Sequence, residues 1–166
     1  MAFSKEQEQK GIVMLNLLED LGSKLSSCSI TLFKGTSRSS FNFNVHHHSL
    51  NIPISIGLFI KTSNRRHSPW KYSFHKQHQE EIHDLERICD HIYVVFVNGR
   101  DGIICLDRDM LRSILDTNFE EVENVSISRK LNQYYRVKGR DGKLEKPIPR
   151  NTFPDLIIEF IKNRIQ

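Results

Sequence analysis

Between Asp20 and Glu80 the chain contains no aspartate or glutamate. An acid-free run of that length excludes, within itself, the carboxylate pairs that hold Mg²⁺ or carry general acid–base work. Cysteine is also scarce. Cys28, Cys89 and Cys105 are an odd number at wide spacing, which argues against a disulfide frame or a zinc knuckle and for small buried thiols in a reducing compartment. No apolar run approaches the roughly 20 residues of a membrane span, so no membrane partner is expected. The opening MAFSKEQEQKG mixes charges of both signs, unlike a secretory signal, and a cytoplasmic location is expected. Low-complexity tracts, linkers and internal repeats are missing too. A single domain over residues 1–166 is therefore expected, large enough to bury a core without metals or cross-links.

What fills the acid-free stretch is positive. Lys24, Lys34, Arg38, Lys61, Arg65, Arg66, Lys71 and Lys76 lie there, with His46, His47, His48, His67, His75 and His78. The formal charge of +4 thus divides into +8 inside the stretch and −4 outside it, where 16 of the 24 bases and all 20 acids lie. An uncompensated positive surface repels itself and is kept most easily where a polyanion binds. The alternative is that the basic stretch folds against the acidic remainder and the charges cancel in space.

Hydrophobic periodicity gives the elements. Residues 4–22 read as a helix capped by Ser4, with Ile12, Val13, Leu15, Leu17, Leu18 and Leu21 as its apolar stripe and Gly22 at its end. Ser29–Phe33 reads as a strand that turns at Lys34-Gly35-Thr36-Ser37. Phe41, Phe43 and Val45 alternate with polar residues as a second strand, and 51–61 gives a third, with Pro53 near its start. Trp70, Tyr72 and Phe74 share one face of an extended segment. Residues 77–90 read as a helix with Ile82, Leu85, Ile88 and Cys89 inward, and Ile92–Val97 as a doubly covered central strand. Asn98–Gly102 turns the chain into a hairpin with Ile103–Leu106. A short helix capped by Asp107, strands at 122–128 and 134–137, a turn at 139–142 and a final helix at 155–164 complete the chain. The expected fold class is α/β (or α+β), a mixed central sheet flanked by helices in the order αβββαββαββα.

The opening order αβββαβ, with Phe59-Ile60-Lys61-Thr62-Ser63 closing the third strand, resembles the restriction-endonuclease-like, or PD-(D/E)XK, fold over about residues 4–97. The resemblance implies metal-binding acids on the second and third strands and a lysine in the place of Lys61, two residues after an acid or glutamine. Here Phe59 stands in the acid's place and the second strand has no acid. The resemblance therefore implies a degenerate, non-cleaving version of the fold. The segments Lys61–Phe74, Asp101–Leu106, Val125–Arg129 and Tyr135–Leu144 also resemble a family of small prokaryotic proteins carrying a KTSxRxHSPWxYSF-like stretch. That likeness implies no particular activity, though a bacterial defence or mobile-element setting would suit it.

The function expected is binding of DNA or RNA through a basic, aromatic-bearing face made by Lys61, Arg65, Arg66, His67, Trp70, Lys71 and Lys76. Paired arginines fit phosphate bidentately, and Trp70 or Tyr72 would stack on bases unless they anchor the core. No catalytic residue is assigned, and no metal or other cofactor is expected. The first alternative is a Mg²⁺-dependent nuclease, Lys61 lying between Glu19 or Asp20 and Glu80 or Glu81. A second is a protein-binding subunit whose basic face meets an acidic partner chain. His46 and His48 would share one side of a strand, but with no acid or cysteine nearby they read as a solvated cluster rather than metal ligands. Arg129, Lys130, Arg136, Lys138, Arg140 and Lys143 form a second basic strip, diluted by Asp141 and Glu145.

Overall fold

A computed structural model describes residues 2–22, 27–33 and 37–166. Lys24, Lys34 and most of the turn expected at 34–37 fall outside the described residues. The elements are α1 (Lys5–Gly22), β1 (Ser27–Leu32), β2 (Ser40–His46), β3 (Ile54–Ser63), β4 (Trp70–Phe74), α2 (Lys76–Ile88), β5 (His91–Asn98), β6 (Gly102–Asp107), α3 (Arg108–Ile114), β7 (Glu123–Ser128), β8 (Arg136–Lys138) and α4 (Thr152–Ile165).

A mixed five-stranded sheet in the order β1-β2-β3-β5-β6 forms the centre. β3 and β5 run parallel, with Lys61 opposite Phe96, and the other neighbours are antiparallel. The crossover between the parallel pair carries α2, as expected of strands that cannot be joined by a tight turn. β3 and β5 are apolar on both faces because both are covered. Ile54, Ile56, Leu58, Ile60, Tyr93, Val95 and Val97 pack with Val13, Leu17 and Leu21 of α1 and Phe153, Ile157, Ile158 and Ile161 of α4. Phe59, Val94 and Phe96 face the other way, onto α2, α3 and a second sheet.

That second sheet, β4-β7-β8, is antiparallel throughout and departs from the expectation of one central sheet. Its cause is local. β3 is paired on both edges by β2 and β5, so the extended segment that follows it cannot pair with β3 and pairs with β7. β4 starts a new sheet instead, making a strand that the expected order αβββαββαββα does not contain. Trp70, Tyr72 and Phe74 point into the core, while Lys71 and Ser73 point out.

α1 also differs in detail. Its buried seam is Gln9, Val13, Leu17 and Leu21, spaced by four, and Ile12 and Leu15 of the expected stripe face solvent. Ile88 and Ile52 are exposed as well. Both termini of α1 and α3 follow their sequence signals. Ser4 Oγ accepts from Gln7 N while Gln7 Oε1 accepts from Ser4 N, a reciprocal cap. Gly22 ends α1. Asp107 Oδ1 accepts from Met110 N at 2.9 Å, and α3 stops at Ile114. No helix among the described residues is long and apolar enough to cross a membrane.

Candidate functional site

The basic loop after β3 is pinned rather than loose. Trp70 Nε1 donates to Arg65 O at 2.9 Å, Arg65 N donates to Ser63 Oγ, and Arg129 N donates to Ser68 Oγ at 3.0 Å. Trp70 is 2 % exposed and contacts Tyr135 in the core. It is therefore an anchor and offers no ring to a base. Tyr72 is equally buried, its hydroxyl donating to Asn98 Oδ1 and Val97 O. The expected aromatic-bearing face is thus corrected to a basic one, because alternation in β4 turns every aromatic inward and leaves only Lys71 and Ser73 outside.

Beside this loop is a cleft of about 610 Å³ lined by Lys5, Gln9, Asn64, Arg66, His67, Gly99, Arg100 and Asp101. It lies outside the carboxyl ends of β3 and β5, the position at which ligands enter parallel α/β sheets. α1 closes one side, held by Gln9 Nε2 donating to Ser63 O at 3.0 Å. Gly99, at φ +58°, closes another, and a Cβ there would sit 2.3 Å from Arg65 O. The backbones of the two turns can approach this closely only because residue 99 is glycine.

The cleft's one acid is already committed. Asp101 accepts from Arg129 Nε at 2.8 Å, from Arg129 Nη2 and from Tyr135 Oη at 2.6 Å. Arg129 above all holds the Asp101 carboxyl below its usual range, against the cost of burial. Lys5, Arg66 and Arg100 make no ion pair among the described residues, so the cleft keeps a net positive lining.

Of the residues expected to bind nucleic acid, Arg66 and His67 line this cleft and Arg65 is exposed beside it. Lys71 stands on the outer face of the second sheet, opposite Ser126. Lys76 is bound to Glu120 at 2.6 Å, so its charge is already met. Lys61 is half-buried. Its Nζ donates to Ser73 O at 2.8 Å, lies 3.5 Å from His78 Nδ1 and sits over the Phe74 ring. Burial lowers its pKa to about 8, although Glu6 and Glu81 pull the other way. The His78 pKa is lowered too, first by burial and then by Lys61.

Of the acids expected around Lys61 only Glu81 acts on it, and Glu6, which was not expected, joins it. Gln9 of α1 is bonded at the end of β3, and Glu19 lies ten residues on, about 15 Å along the helix. It borders a different cleft with Asp20, Arg150 and Phe153. Glu80 is exposed, whereas Glu81, one residue and about 100° further round α2, points inward. Glu81 accepts from Ser37 N, Ser37 Oγ and Ser40 Oγ. Glu6 is paired with Lys10 at 2.7 Å, and Lys10 also donates to Arg38 O.

Lys5 and Arg100 were not among the expected residues. Arg100 sits in the turn after the central strand, and its place at a strand's carboxyl end is a signal that could have found it. Lys5 carries no local signal, since only tertiary packing brings the start of α1 here. The three cysteines are free, Cys105 in the core and Cys28 and Cys89 half-buried, and burial raises each thiol's pKa. Compared with family models, curated proteins and solved structures, this chain gives no match.

Proposed function

We propose that the protein binds DNA or RNA through the cleft at the carboxyl ends of β3 and β5, and does not cleave it. The observation that carries this reading is the convergence of Lys5, Arg66, His67 and Arg100 on one cleft whose single acid is neutralised by Arg129. Guanidinium groups on a fixed loop meet phosphate oxygens at little cost in ordering.

The parallel pairing of β3 with β5 across α2 supports a kinship with the restriction-endonuclease-like core. The non-cleaving reading is supported by the acids nearest Lys61. Glu81 is spent on serines and Glu6 on Lys10, whereas hydrolysis needs carboxylates free to hold an ion against water. A bacterial defence or mobile-element role would suit such a binder.

Fluorescence anisotropy on duplex and single-stranded probes across a salt series tests the proposal. If Lys5, Arg65, Arg66 and Arg100 each meet about one phosphate, the log-log slope on duplex DNA is about −3 to −4. Replacing Arg66 and Arg100 by alanine flattens it by about 2, and Lys76→Ala leaves it unchanged. A wild-type chain with no affinity at low salt would turn the reading toward an acidic protein partner. The same samples, incubated with plasmid and with RNA in Mg²⁺ and then Mn²⁺, are expected to remain intact. Nicking abolished by Lys61→Ala and by Glu81→Ala would replace the binder with a nuclease.

A further inference from the structure

The second sheet carries a feature that the basic cleft does not explain. Glu123 opens β7, opposite Phe74 of β4, and is 0 % exposed. Neither of its carboxylate oxygens has a hydrogen-bond partner. Asp116, from the connection after α3, and Asp141, from the turn after β8, bring ligand oxygens to it, all within 4.8 Å of one another. Three carboxylates so close repel each other unless something positive lies between them.

Among the described residues, the positive charge near the three is only partial: Arg140 offsets part of the repulsion on Glu123, and Arg112 Nη1 donates to the Asp116 backbone oxygen. Arg140, the nearest guanidinium in sequence, is paired with Glu121 at 2.8 Å. The two aspartates are oriented from behind. Asp141 Oδ2 accepts from Asp116 N at 2.9 Å, and Asp116 Oδ1 accepts from Asn118 N at 2.7 Å. Each therefore retains one oxygen, beside the two of Glu123. Asp141 N donates to Ile114 O, and a Cβ at Gly142 would lie 2.4 Å from Ser113 O, so the turn that presents Asp141 is seated on the end of α3.

We propose that Asp116, Glu123 and Asp141 form a site for a hard divalent cation of the Ca²⁺ type, which fastens the 115–122 connection to the β8 turn. Carboxylate oxygen is the ligand that Ca²⁺, Mg²⁺ and Mn²⁺ prefer. At metal–oxygen distances of roughly 2.3–2.6 Å, oxygens sharing one Ca²⁺ lie roughly 3–5 Å apart, and here all three lie within 4.8 Å of one another. Glu123 forms the floor of the site. Asp116 and Asp141 are exposed at its rim, leaving the outer side open to the waters that complete a shell of roughly six to eight oxygens. Burial, together with the Asp141 and Asp116 charges, pushes the Glu123 pKa up to about 7, although Arg140 pulls the other way. The competing occupant is a proton shared between Glu123 and Asp141.

The two are separated by calorimetry and thermal unfolding of the full chain, stripped with EDTA and held at pH 7.5, with CaCl₂, MgCl₂ and MnCl₂ added in turn. One equivalent of at least one cation is expected to bind. At a hundredfold excess over the dissociation constant the melting temperature is expected to rise by about 5–10 °C. Glu123→Gln keeps the shape and removes the repulsion, so this variant is expected to fold without metal and to lose both the heat and the shift. Asp141→Asn is expected to weaken binding at least tenfold. Neither heat nor shift with any of the three ions at 5 mM overturns the proposal in favour of the shared proton. Binding that survives in Glu123→Gln overturns it in favour of a site elsewhere. Neither result bears on the basic cleft, which the anisotropy assay tests separately.

Discussion

Gly99→Ala is expected to unseat the basic loop and cut nucleic-acid affinity more than any single arginine replacement. The added methyl would stand 2.3 Å from Arg65 O, well inside contact distance, on a residue already at φ +58°. The left-handed conformation alone costs an L-residue about 1 kcal/mol. The overlap forces either the Asn98–Gly102 turn or the Arg65 backbone to move. Arg65 O is the acceptor for Trp70 Nε1, so moving it also strands a buried indole N–H, a loss of about 1–3 kcal/mol. Because Arg66, His67 and Arg100 lie on the two turns being pushed apart, their convergence is lost together. Affinity measured by anisotropy should fall by about 100-fold, while Arg66→Ala alone should cost about tenfold at moderate salt. A Gly99→Ala chain that binds like the wild type would remove the cleft as the binding site. Trp70 fluorescence, shifting as its partner moves, checks that the loop and not the whole fold has changed.

Asp101→Ala is the second large effect, and it should act on stability. Asp101 joins the β5–β6 turn to the second sheet through Arg129 and Tyr135. Only 10 % of the Arg129 side chain is exposed, so removing its partner leaves a largely buried cation unmatched. The expected loss is about 3 kcal/mol, or a fall in melting temperature of about 6–12 °C for a chain of this size. Arg129→Met with Asp101→Ala should recover part of it, since the stranded charge then goes too. The pH dependence has a definite sign. The Asp101 pKa is lowered on folding, so its contribution is complete above the unfolded value near 4 and is lost as pH falls below it. In Asp101→Ala that part of the acid-side slope should vanish. A melting temperature unchanged at pH 7 would refute the role given to this pair.

The central sheet was legible because its signals are local and strong. The alternation in 41–45, the run 92–97 and the Asn98–Gly102 turn each dictate one structure, and the crossover rule orders β3 and β5. The second sheet was less legible. Trp70-Lys71-Tyr72-Ser73-Phe74 reads as a strand with one apolar face, but what it pairs with depends on β3 having no edge left, a tertiary fact. For the same reason composition found the basic loop but not Lys5, and weighed Trp70 between stacking on bases and anchoring the core, a choice its burial decides for the core. The acids around Lys61 show the limit most clearly. Glu80 and Glu81 are indistinguishable by spacing, and only the rotation of α2 makes one a surface residue and the other a partner of Ser37 and Ser40. Asp116, Glu123 and Asp141 lie on three separate segments, and no motif links them.

The two faces of the central sheet are finished by residues made late. β4 waits in the β3–β5 crossover until β7 has been synthesised to pair with it, and the opposite face is covered in part by α4, made after β7. A ribosome that has released the first 115 residues has made all five central strands but neither lid. Until the segments after residue 115 emerge, Trp70, Tyr72 and Phe74 lack the β7 strand, and Tyr93, Val95 and Val97 have α1 but not α4 packed with them. Both faces thus wait on segments made after residue 115, and nascent chains stalled before β7 are natural clients for whatever guards exposed apolar surface in the cell.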